Sequence, residues 1–79
     1  MADLSIRAVW DEDARVWCAE SDDVPGLATE ADTLEALAEK LRTLIPELLE
    51  LNGIQPPIED HDLPFRVIAE RTEHIRFGA

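Results

Sequence analysis

Apolar and polar residues alternate at the start of the chain. Over residues 3–10, every second position is apolar and the positions between them are mostly polar. Because successive side chains of a strand point to opposite faces, this alternation predicts a β-strand with one buried face. A polar loop follows, and residues 15–21 predict a second strand that returns antiparallel to the first.

The second strand carries apolar side chains on both of its faces. Val16 and Cys18 point one way, whereas Trp17 and Ala19 point the other. Since one helix covers only one face of a small sheet, the second apolar face must meet another surface. Trp10 or Trp17 is a candidate anchor there, because tryptophan is favoured in interface cores. The alternative is that both tryptophans lie under the helix.

A turn and a third strand come next. Pro25 and Gly26 predict a turn in which Gly26 has a positive φ, a conformation that glycine adopts without steric cost. Residues 27–31 predict a short strand. Thr29 and Glu30 are polar, so we expect this strand to lie at an edge of the sheet.

Leucine and isoleucine then recur at three- and four-residue spacing, which predicts one amphipathic helix. Asp32 is the predicted N-cap, and Glu35, three residues later, completes the spacing of a capping box. Pro46 falls inside the helix and predicts a kink near Arg42. Gly53 is predicted to end the helix in the left-handed conformation.

The remainder of the chain predicts one more strand. Residues 54–64 contain prolines and no periodicity, which indicates a linker. Residues 65–72 alternate again and predict the last strand. Residues 73–79 form a tail, in which Ile75 and Phe77 have no obvious burial partner.

These elements predict a single α+β domain over residues 1–79, with two layers and the order β-β-β-α-β. Two antiparallel hairpin connections place the first three strands side by side. A right-handed crossover through the helix then places the last strand parallel to the first and beside it, which gives the strand order 3-2-1-4. The alternative is that the last strand and the tail pair with a second copy of the chain.

The sequence also resembles a known family. Residues 23–26, then a short strand and residues 32–37, are similar to the core of HicB-family antitoxins. Upstream, residues 10–13 and 16–21 are similar to the first hairpin of that family, and the match covers residues 4–53. The resemblance implies a partial ribonuclease-H-like sheet. It also implies a protein-binding module that neutralises a small basic RNA-cleaving toxin by direct contact.

The sequence departs from that family in one respect. HicB antitoxins usually carry a C-terminal helix-turn-helix or ribbon-helix-helix that binds the operator. Seven residues follow residue 72, which is too few for either, so operator binding by this chain is not expected. The alternative function is therefore a stand-alone homo-oligomeric accessory protein with no toxin partner.

Charge agrees with a protein partner and disfavours nucleic acid. Eighteen acidic residues against seven basic ones give a net charge of −11. Such a chain repels a phosphate backbone, so direct nucleic-acid binding is not expected. The acidic surface would attract a basic protein. The alternative is that the acidic residues serve only solubility.

No arrangement of residues predicts chemistry. The single cysteine excludes an internal disulfide, and no apolar run is long enough to span a membrane. With no signal peptide in the sequence, we expect a cytoplasmic protein. His61 lies between two aspartates on a loop, which defines no coordination geometry. We therefore expect no catalytic residues, no metal, no cofactor and no enzymatic activity.

The last expectation concerns assembly. A four-stranded sheet with one helix leaves one face uncovered, and a chain of this length has little core to spare. We therefore expect a homodimer or a higher even oligomer. The candidate interface residues for the oligomer or another partner are Val9, Trp17, Ile68, Ile75 and Phe77.

Overall fold

The architecture follows the predicted element order. The computed structural model describes residues 4–56 and 62–78. It contains strands β1 (Leu4–Asp11), β2 (Val16–Glu20), β3 (Thr29–Ala31) and β4 (Phe65–Glu70), with helix α1 (Leu34–Leu51) between β3 and β4. The sheet order is β3-β2-β1-β4. β2 is antiparallel to both of its neighbours, and β4 is parallel to β1. The α+β class and the strand order are confirmed.

Alternation in β1 sets the two faces of the sheet. Leu4, Ile6 and Ala8 are buried, whereas Ser5 and Arg7 between them are exposed. In the parallel pairing, apolar residues of β4 lie beside these buried residues of β1. In the antiparallel pairing, Ala19 of β2 lies beside the buried Ala8. One face of the sheet is therefore apolar and packs against the helix.

Helix α1 covers that apolar face. Its buried residues recur every fourth position, which is the spacing of one helix face. The core that results joins both layers and consists of Leu4, Ile6, Ala8, Ala19, Val24, Ala31, Leu37, Leu41, Ile45 and Leu49. Helix α1 continues through Pro46, as the apolar pattern predicts. The kink near Arg42 stays a prediction.

The N-cap of α1 corrects the sequence prediction by one residue. Thr33, not Asp32, is the cap, and its side chain accepts a hydrogen bond of 3.0 Å from the backbone N–H of Ala36. The third helical position is then Ala36, which has no carboxylate, so the predicted capping box with Glu35 is absent. Glu35 instead lies in the first turn, where a negative charge is favourable next to the positive end of the helix dipole.

The predicted helix end is confirmed. Gly53 has a φ of +66°, in the left-handed region. Its N–H donates to the carbonyl of Glu50 at 3.1 Å, and the N–H of Ile54 donates to the carbonyl of Leu49 at 2.9 Å. This pair of bonds is a Schellman motif, which satisfies carbonyls that the helix end leaves free.

The predicted turn at Pro25 and Gly26 is also confirmed. The N–H of Leu27 donates to the carbonyl of Val24 at 3.2 Å, and Gly26 has a φ of +82°. Proline at the second position and a positive φ at the third are features of a type II turn. Val24 is fully buried, a core position that the apolar pattern of the sequence did not indicate.

Strand boundaries differ from the predictions at several ends. β3 begins at Thr29, so the Leu27 end of the predicted strand belongs to the turn. β4 ends at Glu70, two residues before the predicted end. Beyond it, residues 71–78 contain no helix or strand and are exposed. We call this segment, residues 71–78, the arm.

Candidate functional site

The face of the sheet that lies opposite the helix has no covering element among the described residues. We call it the open face. Strand register and alternation assign its side chains, because directly paired residues share a face. They are Ser5, Arg7, Val9, Asp11, Val16, Cys18, Glu20, Glu30, Arg66, Ile68 and Glu70.

One end of the open face is an acidic recess. It is lined by Ser5, Arg7, Glu20, Ser21, Asp22, Asp23, Ile68 and Glu70. Arg7 pairs with Glu20, and this hydrogen bond and the charge of Glu20 raise the pKa of Arg7. The charges of Glu70 and Asp22 raise the same pKa further. Arg7 is thus surrounded by carboxylates, and the local field of the recess is negative.

Hydrogen bonds hold the loop that forms the rim of this recess. The Ser21 hydroxyl donates to the carbonyl of Ser5 at 2.6 Å and accepts from the N–H of Asp23 at 3.0 Å. The carboxylate of Asp23 accepts from the N–H of Ser5 at 2.8 Å. These bonds continue the pairing of β1 beyond the end of β2, and they hold the loop of Asp22 and Asp23 beside Ser5 of β1.

The middle of the open face is apolar. Val9 lies opposite Cys18 on the neighbouring strand, and both are half-buried. Ile68, beside Arg7, is 45% exposed. Burial raises the pKa of the Cys18 thiol, and the nearby carboxylates of Asp11, Glu30 and Glu20 raise it further. A raised pKa keeps the thiol protonated, so the surroundings of Cys18 are those of a structural cysteine and not of an activated nucleophile.

The two tryptophans lie on the other side of the sheet, which corrects one grouping made from the sequence. Trp10 and Trp17 are directly paired, with ring centroids 5.2 Å apart in an edge-to-face arrangement. Trp17 packs against the core. Val9 and Ile68 are on the open face, so Trp17 does not form one patch with them. Both faces of β2 are apolar, and its sequence alone therefore could not show which face the helix covers.

A polar network surrounds the exposed edge of this tryptophan pair. The indole N–H of Trp10 donates to the carboxylate of Glu12 at 2.8 Å, and Arg15 pairs with the same carboxylate at 2.9 Å. The guanidinium of Arg71 lies 4.1 Å from the centroid of the Trp10 ring, a cation–π distance. These contacts fix the position at which the arm leaves the sheet.

The arm presents the most exposed apolar side chains of the described chain. Ile75 is 86% exposed and Phe77 is 94% exposed. Among the residues that the structure describes, the other large apolar side chains that are exposed are Leu51, Ile54 and Ile68. Ile75, Phe77 and Ile68 were all predicted as interface residues, and none of them is buried by a contact within residues 4–56 and 62–78.

The described ranges contain no cluster of histidine, cysteine, aspartate and glutamate that could hold a metal ion. His61, which was considered as a ligand, lies outside the described residues, and His74 is exposed on the arm. In the same part of the chain, no helix has the length and apolarity needed to cross a membrane. The expectation that the chain is not an enzyme stays a prediction.

These observations define a small two-layer α+β domain built on a four-stranded mixed sheet with one open face. The chain belongs to the family described as a domain of unknown function (DUF1902), whose model matches residues 3–79. It is similar to a hypothetical protein from the extremely thermophilic bacterium Thermus thermophilus, known from a crystal structure. The two are 51% identical, with 95% of this chain and 99% of the other covered, and the TM-score is 0.68. A search of curated proteins found no match.

Proposed function

We propose that this chain is a protein-binding module of the HicB-antitoxin type, which neutralises a small basic RNA-cleaving toxin by direct contact. The observation that carries the proposal is the acidic recess on an otherwise open sheet face, in a chain of net charge −11. The resemblance of residues 23–26 and 32–37 to the HicB core supplies the class of partner.

The recess suits a cationic side chain of such a partner. Four carboxylates line it, from Glu20, Asp22, Asp23 and Glu70, against one guanidinium from Arg7. Their excess negative charge would attract an arginine or lysine, and the polar rim would fix its orientation. Charge of this kind acts mainly on the rate of encounter and on the choice of partner.

The test is the association rate with a catalytically inactive HicA-type toxin, measured by stopped-flow fluorescence as the salt concentration rises. Salt shortens the screening length from about 10 Å at 0.1 M to about 3 Å at 1 M. We therefore expect association to slow steeply. A rate that is independent of salt would show that the acidic surface plays no part, and an absence of binding would contradict the toxin assignment.

A matched pair of charge reversals locates the contact. Asp22→Lys and Glu47→Lys change the net charge equally, and both residues are exposed. Asp22 lines the recess, whereas Glu47 lies on helix α1. We expect Asp22→Lys to weaken toxin binding more than Glu47→Lys does. Equal effects would indicate long-range steering without a role for the recess.

A second candidate function is a homo-oligomeric accessory protein without a toxin partner. The exposure of Ile75 and Phe77 favours it, because a second copy of the chain is one surface that could bury both side chains. The two candidates share the assembly, a homodimer or a higher even oligomer. Self-association without binding of a small basic protein would favour this second candidate.

A further inference from the structure

We propose that the arm is exchanged between two copies of the chain. Ile75 and Phe77 of one copy pack on the apolar middle of the open face of a second copy, around Val9 and Cys18. The second copy places its own arm in the same way on the first. This inference rests on the homo-oligomer that both candidate functions share, and it names the surfaces that form it.

The dimensions of the molecule show that the arm projects from the body. The longest extent of the described chain is 56 Å. Helix α1 has 18 residues and β1 has eight, so each is about 26–27 Å long at the rise per residue of its structure. The arm has eight residues, and an extended segment of that length adds about 26 Å. The radius of gyration is 15.1 Å, whereas a compact domain of this size has about 12 Å.

The side chain of the first arm residue, Arg71, lies on the helix side of the sheet. The guanidinium of Arg71 contacts the ring of Trp10, and its Nε pairs with the carboxylate of Glu73 at 2.8 Å. Trp10 alternates with Val9, so its ring is on the side opposite the open face. In an extended arm Ile75 and Phe77 share the side of Arg71, so their side chains point away from the open face of their own copy.

The sequence of the arm has the alternation of an interface strand. In an extended segment, Ile75 and Phe77 share one side, and His74 and Arg76 share the other. The apolar side has no covering element in the described chain, and it remains 86–94% exposed. In such a segment every second side chain faces the same way, so Ile75 and Phe77 can pack together on one apolar surface.

The open face of a second copy matches this pattern in both polarity and charge. Val9, Cys18 and Ile68 form an apolar strip. Glu30 pairs with Cys18 and Glu70 pairs with Val9, so a carboxylate stands at each side of the strip. Arg76, between Ile75 and Phe77, gives the incoming arm a positive charge that this acidic border attracts at long range, although its side chain is on the other side of an extended arm. Because each copy has one arm and one open face, a two-fold axis satisfies both contacts and closes the assembly.

Cys18 is the only cysteine, so its rate of alkylation reports whether the apolar middle is covered. The test compares the wild type with the double variant Ile75→Ser/Phe77→Ser, by light scattering and by thiol labelling. We expect the double variant to have half the mass of the wild type and to label Cys18 severalfold faster. Leu51→Ser is the matched control, because Leu51 is also an exposed apolar residue, at 82%, but lies at the end of the helix. In Leu51→Ser, neither the mass in solution nor the rate of Cys18 labelling should change.

Three outcomes would overturn the inference in distinguishable ways. A double variant with the mass and the labelling rate of the wild type would show that the copies associate through another surface. A wild type that is itself monomeric would remove both the exchange and the homo-oligomer. Equal loss of assembly in Leu51→Ser would show that the effect is not specific to the arm.

Disulfide trapping gives a second, direct readout. In Phe77→Cys, mild oxidation should link position 77 of one copy to Cys18 of another, and peptide mapping by mass spectrometry identifies that link. The control Leu51→Cys should not form the corresponding link. If Phe77→Cys dimers contain only links between equivalent positions, the arm does not reach the open face.

Discussion

The side-chain amide of Asn52 donates a hydrogen bond to the carbonyl of Pro25, 3.2 Å away and 27 residues earlier in the chain. The same amide donates to the carbonyl of Leu48 at 2.8 Å. One residue therefore joins the end of helix α1 to the turn that precedes β3. That turn directly follows the loop of residues 21–23, which forms the rim of the acidic recess.

Asn52→Ala removes this link between the helix and the turn. We expect a loss of about 0.5–1.5 kcal/mol in the free energy of unfolding, measured by urea denaturation. Asn52→Asp is the matched variant, because it keeps the shape of the side chain but cannot donate. It should destabilise at least as much. Two variants with wild-type stability would show that the bond contributes nothing.

The N-cap gives a second prediction. Thr33→Ala should lower the free energy of unfolding by about 1 kcal/mol, because the N–H of Ala36 loses its acceptor. Asp32→Ala should have a smaller effect, since Asp32 is not the cap. Thermal and urea unfolding of the two variants, measured side by side, shows which of the two residues stabilises the start of the helix. A larger loss in Asp32→Ala would restore the assignment made from the sequence.

The turn gives a third prediction. Gly26 has a φ of +82°, where a β-branched residue is strained. Gly26→Val should therefore destabilise the protein more than Thr33→Ala does. Gly26→Asn should cost less, because asparagine tolerates the left-handed region better. A Cβ at this position would lie 3.6 Å from the side chain of Leu48, which is ordinary contact, so conformation and not crowding is tested. Equal stabilities of Gly26→Val and Gly26→Asn would contradict the argument.

A fourth prediction concerns pH. Burial and nearby carboxylates raise the pKa of Cys18, so less thiolate forms at a given pH than in an ordinary cysteine. Alkylation of Cys18 should accordingly begin at higher pH in the folded protein than in the protein unfolded by urea, where the neighbours are dispersed. Folded and unfolded proteins with the same pH profile would show that the environment of the open face does not act on the thiol.

The fold was predictable from the sequence because its signals are local and periodic. Alternation in β1, the leucine pattern of α1 and the turn at Gly26 each depend on neighbouring residues. With these elements in place, the right-handed crossover favours the strand order 3-2-1-4. The cap was misplaced by one residue because Asp32 and Thr33 are both good caps. The extended backbone of Thr33 and its bond to the N–H of Ala36 show that the helix begins at Leu34.

The candidate site was less predictable, because it depends on contacts between distant residues. Gly53 indicated the end of the helix, but nothing local showed the bond of Asn52 to Pro25. Trp17 was grouped with Val9 and Ile68, since both faces of β2 are apolar and the register with β1 was unknown. The sequence shows that Trp10 alternates with Val9, but the direct pairing of Trp10 with Trp17, which puts Trp17 on the same side as Trp10, is seen only in the structure.

The most direct measurement is the mass of the wild-type protein in solution, by light scattering at micromolar concentration. Because the open face and the arm leave Val9, Ile68, Ile75 and Phe77 without a covering partner in the described chain, we predict a mass of twice the 8.9 kDa of one chain, or a higher even multiple. A mass that stays at 8.9 kDa would contradict the claim that these surfaces are an interface between copies.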